Sequence, residues 1–191
     1  MKKIGNTAFT FPVGDGDNYQ PISISAPGSS TDAYTAEYID QDPDDAYSRS
    51  LKDSSLDNIS STEYWSLERT SGSAGVFPTI GWNNQSECIY NIDSIRMARW
   101  NGSQWANYGN STTTGTESEG TLSADSTIQH DTNILTYANV FPPLGIKDLA
   151  SDYCNVDSNF TIRGVPGDGN GTFSGFGITD NGDGTATFNP K

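Results

Sequence analysis

The stretch Arg99-Trp100-Asn101-Gly102-Ser103-Gln104-Trp105 is the strongest conformational signal in the chain. An Asn-Gly pair accepts positive φ at both central turn positions, as a type I′ β-hairpin demands, and the flanking tryptophans suit paired strands. A two-residue turn sets Trp100 opposite Ser103 and Ala98 opposite Trp105. Outward from this hairpin, short apolar or aromatic runs alternate with clusters of Gly, Pro, Asn, Asp and Ser. Phe9 and Phe11 flank Thr10, and Ile22 and Ile24 alternate with Ser23 and Ser25. Tyr34, Ala36 and Tyr38 share one face, because side chains two apart on a strand point the same way. Residues 64–67, 76–82 and 95–100 read as further strands, with Trp65 and Trp82 assigned to the core. Helical spacing is nearly absent, and only residues 45–56 have room for a turn or two. The class that follows is all-β, an antiparallel β-sandwich.

Composition narrows the partners. Of 191 residues only 33% are hydrophobic and the mean hydropathy is −0.57, so the core is thin. Twenty-four acidic against ten basic side chains give a net charge of −14, which repels phosphate backbones and anionic lipid heads alike. Nucleic acid is therefore excluded as a partner. Membrane insertion is excluded too, since no run approaches the roughly 18 apolar residues that a spanning helix needs. Aromatic residues make up 11% of the chain, more than disordered acidic chains contain, which predicts a folded protein. Met1-Lys2-Lys3 imitates the charged start of a secretory signal, but Gly5, Asn6 and Thr7 stand where its apolar region should begin.

At Phe141-Pro142-Pro143-Leu144 the texture changes, because tandem prolines stiffen the chain and break strand pairing. We read residues 1–140 as the sandwich domain, 141–144 as a Pro-rich linker and 145–191 as a second unit. That unit has room for four strands, near Val156 and at 160–163, 171–174 and 185–188. An immunoglobulin-type sandwich needs about seven strands and about 100 residues, so the second unit reads as incomplete.

Three segments of the first domain carry a resemblance. They are residues 4–16 (IGNTAFTFPVGDG) with Tyr19 and Pro21, residues 59–69 (ISSTEYWSLER), and residues 98–105 (ARWNGSQW) leading to Asn110 and residues 112–115 (TTTG). In this order and spacing they resemble a domain of large secreted surface proteins of Bacteroidota, exported by the type IX secretion system and including gliding-motility adhesins. The tail is similar to the first half of a PKD-like or Ig-like repeat. It carries Tyr153-Cys154, residues 160–164 (FTIRG), Pro166, and residues 171–178 and 180–190 (DNGDGTATFNP). The resemblance implies that the chain is a fragment, with sequence upstream of Met1 and the rest of the repeat downstream. It also implies a family cysteine where Thr62 stands here, which leaves Cys88 without that partner. Cys88 and Cys154 fall in different predicted units, and spacing does not establish their pairing; two separate thiols are expected.

Candidate sites are few. Asp180-Asn181-Gly182-Asp183-Gly184-Thr185 offers Asp180 and Asp183 to Ca2+, and the acidic loop with Asp40, Asp42, Asp44 and Asp45 is a second calcium candidate. Against this stands the tight-turn reading, with Asn and Gly supplying positive φ, and that of solvated charge. Trp100, Trp105 and Tyr108 bracket the hairpin as a platform for stacking sugars, or as cross-strand packing. No catalytic residue is expected: His130 is alone in a polar stretch, with neither a GxSxG elbow nor an HExxH helix. Glu63 and Glu68, five apart on a strand, face opposite sides of a sheet and so make a poor glycosidase pair. The expected role is a non-enzymatic structural or adhesive segment of a large cell-surface or filamentous protein, located outside the cell. Its partners would be neighbouring domains, adjacent copies and surface glycans. The alternative is a carbohydrate-binding accessory module of a secreted hydrolase.

Overall fold

The computed structural model describes residues 1–87, 89, 91–129, 131–141, 145–147, 158–165 and 171–190. It is an all-β protein in two compact units, Met1–Phe141 and Pro142–Lys191. With strands numbered along the chain, a seven-stranded antiparallel sheet runs in the order β1 (Lys2–Ile4), β6 (Ala33–Ile39), β8 (Tyr64–Ser71), β14 (Thr132–Val140), β10 (Ile95–Trp100), β11 (Trp105–Asn107). Its seventh strand, β7 (Leu56–Ile59), pairs with the far end of β14. Facing it is a five-stranded sheet ordered β12 (Thr112–Gly115), β13 (Gly120–Ser123), β9 (Pro78–Trp82), β5 (Ile22–Ile24), β2 (Phe9–Phe11). A small hairpin joins β3 (Gly14–Asp15) to β4 (Asn18–Tyr19). The alternation read from the sequence holds in β2, β5 and β6: Phe11, Ile22, Ile24, Tyr34, Ala36 and Tyr38 are all buried.

Two apolar clusters hold this unit together. The larger lies between the sheets, where Phe11, Ile22, Ile80, Trp82 and Leu122 from one meet Trp65, Leu67, Met97, Leu135 and Tyr137 from the other. Trp65 and Trp82 are core residues, as their strand context predicts. Trp82 lies over Gly120 in the neighbouring strand, where the indole leaves no room for a Cβ. The smaller cluster is on the outer face of the seven-stranded sheet, where Leu56, Ile59, Ala98, Trp105, Ile134 and Ala138 pack with half-buried Tyr47, Tyr64 and Trp100. The segment between β6 and β7 therefore covers this face. The helical turn read near 45–56 is instead a single 3₁₀ turn, Pro43–Asp45, with Pro43 at its start and the Asp42 side chain capping it.

The hairpin forms, but in another register from that of a two-residue turn. Trp100 pairs with Trp105 and Ala98 with Asn107, so the loop is four residues long. The Asn101 side chain closes it: Oδ1 accepts from the Ser103 N–H at 2.9 Å, the Ser103 hydroxyl at 3.0 Å and the Gln104 N–H at 2.9 Å. Gly102 follows with φ at +102°. Pairing Trp100 with Trp105 puts both rings on one face, edge to face at 5.7 Å. Asn101→Ala removes all three bonds in an exposed loop, and we expect it to lower unfolding free energy by about 1 kcal/mol, read from the urea midpoint at unchanged slope.

The second unit is, among the described residues, one antiparallel sheet ordered β15 (Gly145–Lys147), β16 (Phe160–Val165), β18 (Thr185–Phe188), β17 (Ile178–Asp180). The strand expected at 171–174 is absent from it. Its place is taken by β17, which the tight turn through Asn181 and Gly184 folds directly onto β18. The strand expected near Val156 lies outside the described residues.

Candidate functional site

The sequence candidates disperse in the fold. Trp105 is fully buried, which removes it as an exposed sugar platform. Its backbone is clamped by the 51–53 segment, with its N–H donating to Leu51 at 2.8 Å and its carbonyl accepting from Asp53 at 2.8 Å. Its indole N–H donates to the Tyr47 carbonyl at 3.1 Å. Trp100 is half-buried against Tyr47, with ring centroids 5.7 Å apart. Tyr108 packs against the main core, under the guanidinium of Arg99 at 5.4 Å. The three aromatics thus serve two different clusters and present no common flat face.

The acidic candidates act as turn formers. Asp42 caps the 3₁₀ turn and pairs with Arg49 at 2.9 Å, while Asp44 accepts from the Arg49 N–H at 2.5 Å. Asp45 is exposed, and Asp40 points elsewhere, toward the Tyr38 hydroxyl at 3.4 Å. In the second unit Asp180 accepts from the Gly182 N–H at 3.1 Å and Asp183 from the Thr185 N–H at 3.1 Å. These bonds from Thr185, side chain first, hold the Asp183 carboxyl below the usual range. Among the described residues, no three His, Cys, Asp or Glu side chains converge in a way that would hold a metal. Of the calcium candidates Asp40, Asp42, Asp44, Asp45, Asp180 and Asp183, four are thus held by short-range bonds within their own turns, Asp42, Asp44, Asp180 and Asp183. Cys88, Cys154 and His130 lie outside the described residues.

One constellation went unread in the sequence. Both β7 and β8 run antiparallel to β14, but Ile59 pairs with Ala138 while Trp65 pairs with Leu135, so the five residues 60–64 stand against only Thr136 and Tyr137. Thr136 pins this excursion by donating its hydroxyl to the Glu63 carbonyl at 2.6 Å. The Glu63 side chain, only 1% exposed, enters the main core beside Tyr38 and Tyr137. Ser86, Tyr38 and Gln20 stand close enough to favour its ionised form, yet neither carboxyl oxygen has a partner at normal hydrogen-bond geometry. Among the described residues no cation pairs with it. Burial dominates and raises the carboxyl pKa, and it pushes the fully buried, unpartnered Tyr137 hydroxyl up as well. Polar groups around this end are otherwise satisfied: Asn18 donates to the Tyr38 hydroxyl at 2.8 Å, Gln20 to Ser86 at 3.0 Å, and the Trp65 indole to the Gln20 carbonyl at 2.9 Å. A sequence signal existed, since Glu63 has the same strand parity as Trp65 and Leu67. Glu68 is exposed on the opposite face, as the odd spacing predicts.

Comparison with known proteins adds no relative. No protein-family model, curated protein or solved structure matches this chain. Function must therefore be argued from surfaces. A cleft of about 610 Å³ beside β6 and β8 is open and lined by Thr35, Glu37, Ser66 and Glu68, with Asp15 at its edge. A second, of about 460 Å³, gathers Asp93, Arg96, Asn110 and Asp125. Both are polar, unlike the predominantly apolar pockets that enclose small ligands.

Proposed function

We propose that the chain is a non-enzymatic structural and adhesive segment of a large, secreted, surface-displayed bacterial protein. The observation that supports this most is the serial arrangement of β-only units. The first uses its aromatic residues for packing. In the second, the described residues form a single sheet burying Ile162 and Ala186, and Phe176 stands 94% exposed. A second β unit following the first in one chain is the arrangement that modular proteins extend by repetition. The likeness of the tail to PKD-like and Ig-like repeats, and of the first unit to type IX secretion cargo and gliding adhesins, fits this reading. Neighbouring domains, adjacent copies and surface glycans are then its partners. The alternative, an accessory module docking sugars on Trp100, Trp105 and Tyr108, loses its platform with the burial of Trp105.

An antibody raised against the purified chain tests the reading. On intact cells of the source bacterium it is expected to label the surface, and on immunoblots to reveal a chain much longer than 191 residues. Labelling only after cell lysis, with a band no longer than this sequence, would overturn it.

A further inference from the structure

The registers of the five-stranded sheet align one residue from every strand into a single row. Thr112 pairs with Ser123, Ser123 with Thr79, Thr79 with Ser23, and Ser23 with Thr10. All five carry hydroxyls, and all five lie on the face opposite the buried row of Leu122, Ile80, Ile22 and Phe11. Two neighbouring pairs are already bonded, Thr79 to Ser123 at 2.7 Å and Thr10 to Ser23 at 2.8 Å. A hydroxyl has one proton and two lone pairs, so each bonded pair keeps one donor and several acceptors for a ligand. Beside this row Thr114 bonds Thr121 at 2.7 Å. None of the five strands contains a charged residue, in a chain of net charge −14. The facing sheet, by contrast, carries Lys2, Glu37, Glu68 and Arg96 among others.

We propose that the outer face of this five-stranded sheet docks a single chain of neutral polysaccharide along the hydroxyl row. This rests on the adhesive reading above and names its partner. The match is one of charge and of bonding groups: a neutral glycan brings hydroxyls that both donate and accept, and no charge that the acidic protein would attract or repel. A protein partner suits the face less, because binding hot spots favour Trp, Tyr and Arg, with Ser and Thr under-represented, and the large apolar side chain here is the half-exposed Phe77. A flat crystalline surface suits it less as well. Neighbouring strands twist by roughly 20–25°, so five of them turn the row through about 80–100°, which a flexible chain follows and a plane does not.

The test is affinity electrophoresis of the full 191-residue chain in gels containing dextran, galactomannan, xyloglucan or laminarin, with dextran sulfate as the charged comparison. At least one neutral polymer is expected to retard the protein, and dextran sulfate is not. Thr79→Val removes the central hydroxyl without changing shape, and Thr10→Val and Thr112→Val do the same on edge strands, where folding is least at risk. Each is expected to weaken binding about fivefold, the worth of one net hydrogen bond, with an unchanged far-ultraviolet circular dichroism spectrum. Glu68→Gln on the other sheet should bind as the unaltered protein does. Absence of binding to every neutral polymer overturns the proposal, and so does retardation by dextran sulfate alone. Binding that is indifferent to all three valines overturns this face while leaving the adhesive reading in place. The cell-surface labelling above judges that reading independently.

Discussion

Trp65→Ala is expected to cost about 3–5 kcal/mol of unfolding free energy, the usual toll for deleting a large buried aromatic and leaving a cavity. Whole-domain stabilities are about 5–15 kcal/mol, so the loss is a large share of what holds the first unit folded. The reasons are local and specific. Trp65 is fully buried, with Tyr38 and Tyr137 each 5.3 Å away between ring centroids. Its indole N–H satisfies the Gln20 carbonyl at 2.9 Å, tying the central strands of one sheet to the turn before β5 in the other. Equilibrium denaturation followed by far-ultraviolet circular dichroism measures the loss. Trp105→Ala belongs in the same experiment, because it empties the outer cluster and leaves the sandwich interior intact. A comparable loss there would mean that the second core is integral to the domain. A Trp65 effect below about 1 kcal/mol would contradict the packing described, since surface substitutions have effects of that size.

These two tryptophans also show where the sequence was legible and where it was not. Trp65 sits in an alternating run, and alternation is a local property, so its burial could be read from its neighbours. The burial of Trp105 depends on the 40–55 segment folding across the outer face of the sheet, a long-range event with no local trace. The same event hid β14. Its residues from Asn133 to Ala138 are buried on both faces, so the strand shows no alternation for a period of two to reveal. The hairpin was legible as a hairpin, yet its register was not. Asn-Gly permits a two-residue turn, but the Asn101 side chain stabilises a four-residue one, and pairing the tryptophans decides between them. The hydroxyl row depends on five strands lining up in the order β12, β13, β9, β5, β2, which is assembled from distant parts of the chain. Thr10, Ser23 and Thr79 fall in runs readable as strands, whereas Thr112 and Ser123 lie in polar stretches with no alternation to mark them.

The second large effect is a pH dependence carried by Glu63. Burial raises its carboxyl pKa above the ordinary 4.5, so the folded protein holds this proton more tightly than the unfolded chain does. Linkage then fixes the sign. The stabilisation is fully present below pH about 4.5 and is lost as pH rises through the folded-state pKa, with a slope of at most about 1.4 kcal/mol per pH unit for one proton. Other titrating groups act on the same curve: Asp40 lies on the same side and raises the pKa further, while Tyr38 and Tyr137, raised by burial themselves, lose protons only in the alkaline range. Asp53 and the exposed Asp183, held low by hydrogen bonds from Ser55 and Thr185, work in the opposite direction at acid pH. Glu63→Gln separates these contributions, because it keeps the shape and removes only the titration. The difference in unfolding free energy between the unaltered protein and the variant should be flat below pH about 4.5 and move steadily in favour of glutamine above it, until the folded carboxyl has ionised. At pH 8 the variant is then the more stable of the two relative to their difference at pH 4. Parallel curves from pH 4 to 9 would mean that Glu63 is ionised in the fold at no cost, against the dominance of burial over the polar groups of Ser86, Tyr38 and Gln20 beside it.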